Sequence, residues 1–162
     1  MRFTLIDRIV ECEPWQKIAA RKNLTLAEEY LADHFPGFPV MPGVLMLEAM
    51  TQAGAWLVRA SEDFRHSMVV LREARNVKYG NFVEPGQSLT VKAEVIGHDE
   101  REVRLKAQGE VDGQVSVSAR LVLVRYNLAD QDPSKADNDA VIVQNLRELF
   151  AQLNRATQQA AP

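Results

Sequence analysis

Alternating apolar and polar positions dominate the chain between residues 68 and 126. Leu89, Val91, Ala93 and Val95 alternate with Thr90, Lys92 and Glu94. Val103, Leu105, Ala107 and Val111 alternate in the same way with Arg104, Lys106, Gln108 and Glu110. Successive side chains on a strand point to opposite faces, so this pattern predicts strands with one buried face. Asp112-Gly113 is the sequence of a tight hairpin turn, and Val115, Val117, Ala119, Leu121 and Leu123 resume the alternation after it. Met68 to Leu71 opens a strand that extends to Tyr79, and Glu84-Pro85-Gly86 makes a turn. These segments predict an antiparallel meander.

The period differs before residue 68. Phe3 to Cys12 reads as a strand ended by Glu13-Pro14, and Lys17 to Asn23 as a second strand. Thr25 and Glu28 have capping-box spacing, and Leu26, Tyr30 and Leu31 follow at helical steps, which predicts a short helix leading to His34. Pro36, Pro39 and Pro42 make Phe35 to Gly43 a stiff loop, and Pro42 suits the opening of a helix. From Val44 to Arg59 the chain is apolar nearly all round, through Leu45, Met46, Leu47, Met50, Ala53, Trp56 and Leu57. Such a helix belongs inside a domain. A sheet with one apolar face, curled around one buried helix, is the predicted α+β architecture.

Asn127 to Asp139 is polar and reads as a linker. Val141, Ile142, Leu146, Leu149, Phe150 and Leu153 then mark an amphipathic helix. Its expected place is the outer face of the sheet or a neighbouring subunit, away from the chemistry. The predicted division is a domain over residues 1–126, with a polar linker and C-terminal helix over 127–162. A short Gln/Ala tract closes the chain at 158–162.

Composition narrows the function classes. With 162 residues, 46% of them hydrophobic, the chain is long enough to bury a core without disulfides or metal. A net charge of −3 argues against a nucleic-acid partner. The single cysteine, Cys12, excludes an intrachain disulfide and a cysteine-based zinc site. Three scattered histidines do not form a metal-ligand pattern, and no metal or other cofactor is expected. Residues 1–8 lack an apolar signal core, and Glu48, Thr51 and Gln52 interrupt the longest apolar stretch. The expectation is a soluble, cytoplasmic protein with no membrane association.

The candidate chemistry lies between His34 and Gln52. Histidine titrates near neutrality and can act as a base. The loop after it feeds a helix N-terminus, whose free N–H groups and positive dipole end suit developing negative charge. Glu48 is a lone carboxylate on an apolar helix, where desolvation is expected to favour its protonated, acid form. Gln52 lies one turn further on the same face, within reach of Glu48. A base, an oxyanion site and an acid are what elimination of water beside a carbonyl requires. A structural histidine and an ion-paired glutamate are the plainer reading of the same spacing.

The segments His34-Phe35-Pro36-Gly37, Pro39-Val40-Met41-Pro42-Gly43-Val44 and Leu47-Glu48-Ala49-Met50-x-Gln52 closely resemble those of the β-hydroxyacyl-acyl-carrier-protein dehydratases of type II fatty acid synthesis. The likeness runs from about Phe3 to Val124 and includes Phe82-Val83-Glu84-Pro85-Gly86. It implies a hotdog fold and dehydration of (3R)-hydroxyacyl to trans-2-enoyl thioesters on acyl carrier protein. It further implies a homodimer, or a trimer of such dimers, with each site shared between subunits. By resemblance His34 and Glu48 are the catalytic pair. Gly43 supplies the N–H that holds the thioester oxygen, with Val44 and Gln52 beside the substrate. Phe38 stands where the family commonly has arginine, and Asp33 where it commonly has glycine. A binding protein of the same fold, holding an acyl thioester or its carrier without turnover, is the alternative expectation. A hotdog thioesterase is a third.

Overall fold

The computed structural model describes residues 3–155. The Gln/Ala tract at 158–162 lies outside the described residues. Six strands form one antiparallel sheet: β1 (Arg8–Glu13), β2 (Lys17–Asn23), β3 (Met68–Tyr79), β4 (Ser88–His98), β5 (Glu102–Val111) and β6 (Gln114–Tyr126). Their spatial order is β1-β2-β4-β5-β6-β3, which leaves β1 and β3 at the edges. The helix α1 (Gly43–Ser61) lies against the inner face, and α2 (Ala136–Leu153) follows β6.

The alternating residues meet this helix as their period requires. Leu89, Val91 and Ala93 of β4, Val103, Leu105 and Ala107 of β5, and Val117, Ala119, Leu121 and Leu123 of β6 are all buried. From α1 they receive Met46, Ala49, Met50, Ala53 and Leu57. Burying a side chain such as Leu57 contributes about 2 kcal/mol. Gly54 sets how closely helix and sheet approach, because a Cβ there would stand 2.5 Å from Leu105 Cδ1. The hairpin between β5 and β6 turns through Asp112 (φ 51°) and Gly113 (φ 79°), the positive-φ pair that matches strand twist.

Two elements differ from the sequence expectation. The first strand starts at Arg8 rather than Phe3, because the backbone of Phe3 and Leu5 is taken up by Gln52 on α1. The helix expected after Thr25 is only a turn, Glu29–Leu31. Glu28 does not complete a capping box. Its carboxylate accepts from Lys22 Nζ at 2.6 Å instead, where Lys22 is 5% exposed and needs a counterion.

Residues 127–135 carry two short 3₁₀ turns, Leu128–Asp130 and Pro133–Lys135. Asp139, in the first turn of α2, accepts from Ser67 Oγ and from the N–H groups of Leu128 and Ala129. Burial pushes the Asp139 carboxyl up, but these three hydrogen bonds outweigh it and hold it below the usual carboxylate range. The start of α2 is thereby fixed to the start of β3.

The rest of α2 packs on α1 and the loop that follows it. Phe150 lies 5.9 Å from Trp56 and 5.4 Å from Phe64, centroid to centroid. Arg147 donates to Asp63 and lies over the Phe64 ring. Val143, Leu146, Leu149 and Leu153 join the core, whereas Val141 faces out. Neither described helix is long and apolar enough to cross a membrane.

Candidate active site

His34 is positioned by a loop that its own sequence closes. Pro36 and Gly37 occupy the corner of a turn in which Phe35 and Phe38 exchange N–H···O=C bonds at 3.1 and 2.9 Å. Gly37 has φ 81°, the conformation that favours glycine after proline in such a turn. Val40 then clamps His34 twice. The Val40 N–H donates to the His34 carbonyl at 3.1 Å, and the Val40 carbonyl lies 3.1 Å from His34 Nδ1. A carbonyl only accepts, so Nδ1 carries a proton, and in the neutral ring the lone pair is on Nε2. The half-buried ring stacks on Phe35, 4.1 Å between centroids.

The loop ends at the N-terminus of α1. Pro42 is the N-cap, and its carbonyl accepts from Leu45 and Met46. No hydrogen-bond acceptor occupies the N–H groups of Gly43 and Val44 among the described residues, as expected for the first turn of a helix. Val44 is 66% exposed. The Tyr79 ring, at the end of edge strand β3, covers Gly43 so closely that a Cβ there would stand 2.8 Å from it.

Glu48 and Gln52 form the second half of the site. Gln52 Nε2 donates to Glu48 Oε1 at 2.9 Å and to the Phe3 carbonyl at 3.0 Å, and Gln52 Oε1 accepts from the Leu5 N–H at 2.8 Å. One amide thus orients the carboxyl and holds the N-terminal segment against the helix. Glu48 is only half-buried, so it is less desolvated than its apolar neighbours in sequence suggest.

A cavity of about 370 Å³ adjoins Glu48. It follows one face of α1 through Gln52, Ala55 and Trp56 to Arg59, with Val69 and Leu71 of β3 on its far side. Leu149 of α2 also lines it. The C-terminal helix therefore does not lie on the outer face of the sheet, one of its two expected places: its apolar stripe packs on α1 and Leu149 reaches the cavity beside Glu48. His34 is not among this cavity's lining residues.

A family model of the FabA-like domain matches residues 1–120. The chain belongs to this family. Curated relatives share its sequence. The 3-hydroxyacyl-[acyl-carrier-protein] dehydratase FabZ of Wolbachia pipientis wMel is 42% identical over 93 residues, covering 57% of this chain and 65% of that protein. The match therefore spans just under two thirds of that relative's length. The protein of the same name from Myxococcus xanthus (strain DK1622) is 36% identical over 140 residues, covering 85% of this chain and 90% of the relative. Among solved structures, the dehydratase heterocomplex ApeI:P from Xenorhabdus doucetiae matches with TM-score 0.66 at 16% identity, over 82% of this chain and 90% of that one. A hypothetical thioesterase with coenzyme A from Streptococcus pneumoniae TIGR4 matches with TM-score 0.56 at 12% identity, over 73% and 84%. At these identities the structural likeness establishes the hotdog fold alone.

The two remaining histidines of this FabA-like domain each have a local contact. His66 Nδ1 lies 2.8 Å from Glu62, whereas His98 stacks on Trp15 at 4.3 Å and is exposed. Burial pushes the Cys12 thiol up to about 11, which makes it a poor nucleophile. Among the described residues no group of three or more His, Cys, Asp or Glu side chains could hold a metal ion. Sequence reasoning missed Tyr79, Leu149 and Arg59. Tyr79 and Leu149 reach the site only through tertiary packing. Arg59 falls three helical turns beyond Glu48 on the same face, and that spacing was a readable signal.

Proposed function

We propose that the protein dehydrates a (3R)-hydroxyacyl thioester, presented by acyl carrier protein, to the trans-2-enoyl thioester. The observation that carries this reading is the Nδ1 contact of His34 with the Val40 carbonyl, which leaves Nε2 available as a base on the loop that leads into the free N–H groups of the α1 N-terminus. His34 Nε2 takes the proton from C2, next to the thioester carbonyl. The carbonyl oxygen gathers the resulting negative charge and accepts from Gly43 N–H, with Val44 N–H beside it. The C2 electron pair forms the C2=C3 bond as the C3–O bond breaks. Glu48 protonates the departing hydroxyl, which leaves as water. Proton return from His34 to Glu48 through solvent resets the site, and no electrons are exchanged with a cofactor.

The site is complete only with a second copy. His34 does not line the cavity beside Glu48 within one protomer. Phe35, Phe38, Val44, Tyr79 and Phe82 are exposed around the loop, the α1 N-terminus and the end of β3. A solvent-facing apolar cluster of this kind marks an interface. In a homodimer, His34 of one protomer works with Glu48 of the other. The carrier partner is supported by the relatives, which are named 3-hydroxyacyl-[acyl-carrier-protein] dehydratases.

The purified protein is to be incubated with a 3-hydroxyacyl-carrier substrate while enoyl absorbance and free thiol are followed together. Dehydration raises the enoyl signal without releasing thiol. Thiol release would identify a hydrolase, and absence of both signals a binding protein; either result overturns this reading.

A further inference from the structure

The cavity beside Glu48 ends in a charge that the elimination does not use. Arg59 is largely buried, and its guanidinium lies over Trp56 with its carbon 5.3 Å from the ring centroid. Its Nε is buried without a hydrogen-bond partner, and Nη2 makes a single long bond to the Val69 carbonyl at 3.4 Å. Among the described residues no carboxylate stands within ion-pair distance of Arg59. The contrast with Arg125 is direct. That arginine is the more buried of the two, and it pairs with Glu62 at 2.6 Å and donates to the carbonyls of Asp99 and Glu102. Burial pulls the Arg59 guanidinium down to about 10, so it remains a cation at neutral pH.

A largely buried cation whose Nε–H has no acceptor is costly unless something supplies the missing partner. The position of Arg59 identifies what could do so. Eleven residues separate it from Glu48, which puts their Cα atoms about 16 Å apart along the helix axis, and the guanidinium folds back over Trp56 toward the cavity. The intervening walls are Ala55, Trp56, Leu71 and Leu149, suited to methylenes. An acyl chain that reacts beside Glu48 and follows this face brings its far end to the guanidinium. A terminal carboxylate matches the guanidinium fork in charge and geometry, whereas a terminal methyl would leave Arg59 unpaired and desolvated.

We propose that Arg59 is a specificity-determining residue that receives an ω-carboxylate, so that the preferred substrates are 3-hydroxyacyl thioesters with a second carboxyl group at the far end of a medium-length chain. This rests on the elimination reading for the position of the reacting carbons. Because Arg59 does not approach the reacting atoms, its effect falls mainly on KM.

The test compares 3-hydroxyacyl-carrier substrates of equal length ending in carboxylate or methyl, across several lengths, with wild-type, Arg59→Met and Arg59→Lys proteins. Wild-type kcat/KM is expected to favour the carboxylate on the order of tenfold or more at one chain length. Arg59→Met is expected to abolish or reverse the preference while retaining turnover of the methyl-ended substrate, and Arg59→Lys to keep part of it. Turnover of both substrates without preference, or a preference unchanged in Arg59→Met, overturns this proposal and leaves the elimination reading standing. If nothing is turned over, the elimination reading fails. Calorimetric titration with non-reactive monothioesters of long dicarboxylic and monocarboxylic acids then decides the Arg59 proposal by itself. A wild-type preference for the dicarboxylic ligand that Arg59→Met or Arg59→Lys weakens supports it, and equal affinities overturn it.

Discussion

Replacing Gln52 by leucine removes one side chain that serves both stability and chemistry. Three hydrogen bonds disappear: to the Leu5 N–H, the Phe3 carbonyl and Glu48 Oε1. They are unequal. Leu5 is 1% exposed, so its N–H loses its acceptor where water has little access, at about 1–3 kcal/mol. Phe3 and Glu48 reach solvent, and their two losses together cost about 1 kcal/mol. The sum, about 2–4 kcal/mol, lowers Tm by roughly 5–15 °C for a chain of this size. Urea unfolding at fixed protomer concentration, with an unchanged m-value, measures this loss. Release of the Glu48 carboxyl from its fixed orientation is expected to lower kcat by about a hundredfold. Gln52→Glu separates the two effects. Its carboxylate still accepts from Leu5 N–H, but it cannot donate to Glu48 as the Gln52 amide does, so stability recovers more than activity. A Gln52→Leu protein that unfolds at the wild-type urea midpoint with full kcat would refute the reasoning.

Three further outcomes are expected. Phe150→Ala removes the ring between Trp56 and Phe64, so urea unfolding is expected to show a loss of about 2–3 kcal/mol and Trp56 fluorescence to shift to the red; an unchanged midpoint and spectrum would contradict the packing of α2 on α1. Removing residues 128–162 is expected to raise KM for longer acyl chains more than for short ones, because Leu149 is lost from the cavity beside Glu48; equal KM changes at every length would contradict that wall. The Asp139 carboxyl is held below its usual range, so its contribution is present above the unfolded pKa and is lost as pH falls through the folded value. The stability gap between wild-type and Asp139→Asn is therefore expected to narrow from about pH 5 downward, and a gap independent of pH would contradict the three-bond anchor.

Legibility in the sequence followed how local each constraint is. Lys17–Asn23, the alternating strands and the Asp112-Gly113 turn are written in local period and turn chemistry, and each lies where its pattern places it. The buried helix was legible because an almost wholly apolar segment has only the interior to occupy. Capping-box spacing at Thr25 and Glu28 misled because Lys22, distant in pattern but adjacent in space, claims the glutamate. Phe3 to Asp7 looked like strand because nothing local reveals that Gln52 takes its backbone bonds. The proposed site residues His34, Gly43, Glu48 and Gln52 share one short segment, which is why the sequence singles them out together. The hydrogen bond that fixes the His34 tautomer comes from a backbone carbonyl, which sequence does not display. The position of α2 depended on which apolar face remained uncovered, and that face belongs to α1 rather than to the outside of the sheet.

The central claim is elimination by His34 and Glu48 at a site shared between two copies. It is tested most directly by mixing two inactive variants. His34→Ala and Glu48→Gln, each folded like the wild type, are each expected to lose enoyl formation by two to four orders of magnitude. After subunit exchange, verified with differently tagged chains, a heterodimer holds one site with both groups intact, and enoyl formation is expected to return to a substantial fraction of the wild-type rate. Near-normal turnover in either single variant would contradict the assigned chemistry, and no recovery in subunits shown to exchange would contradict the shared site.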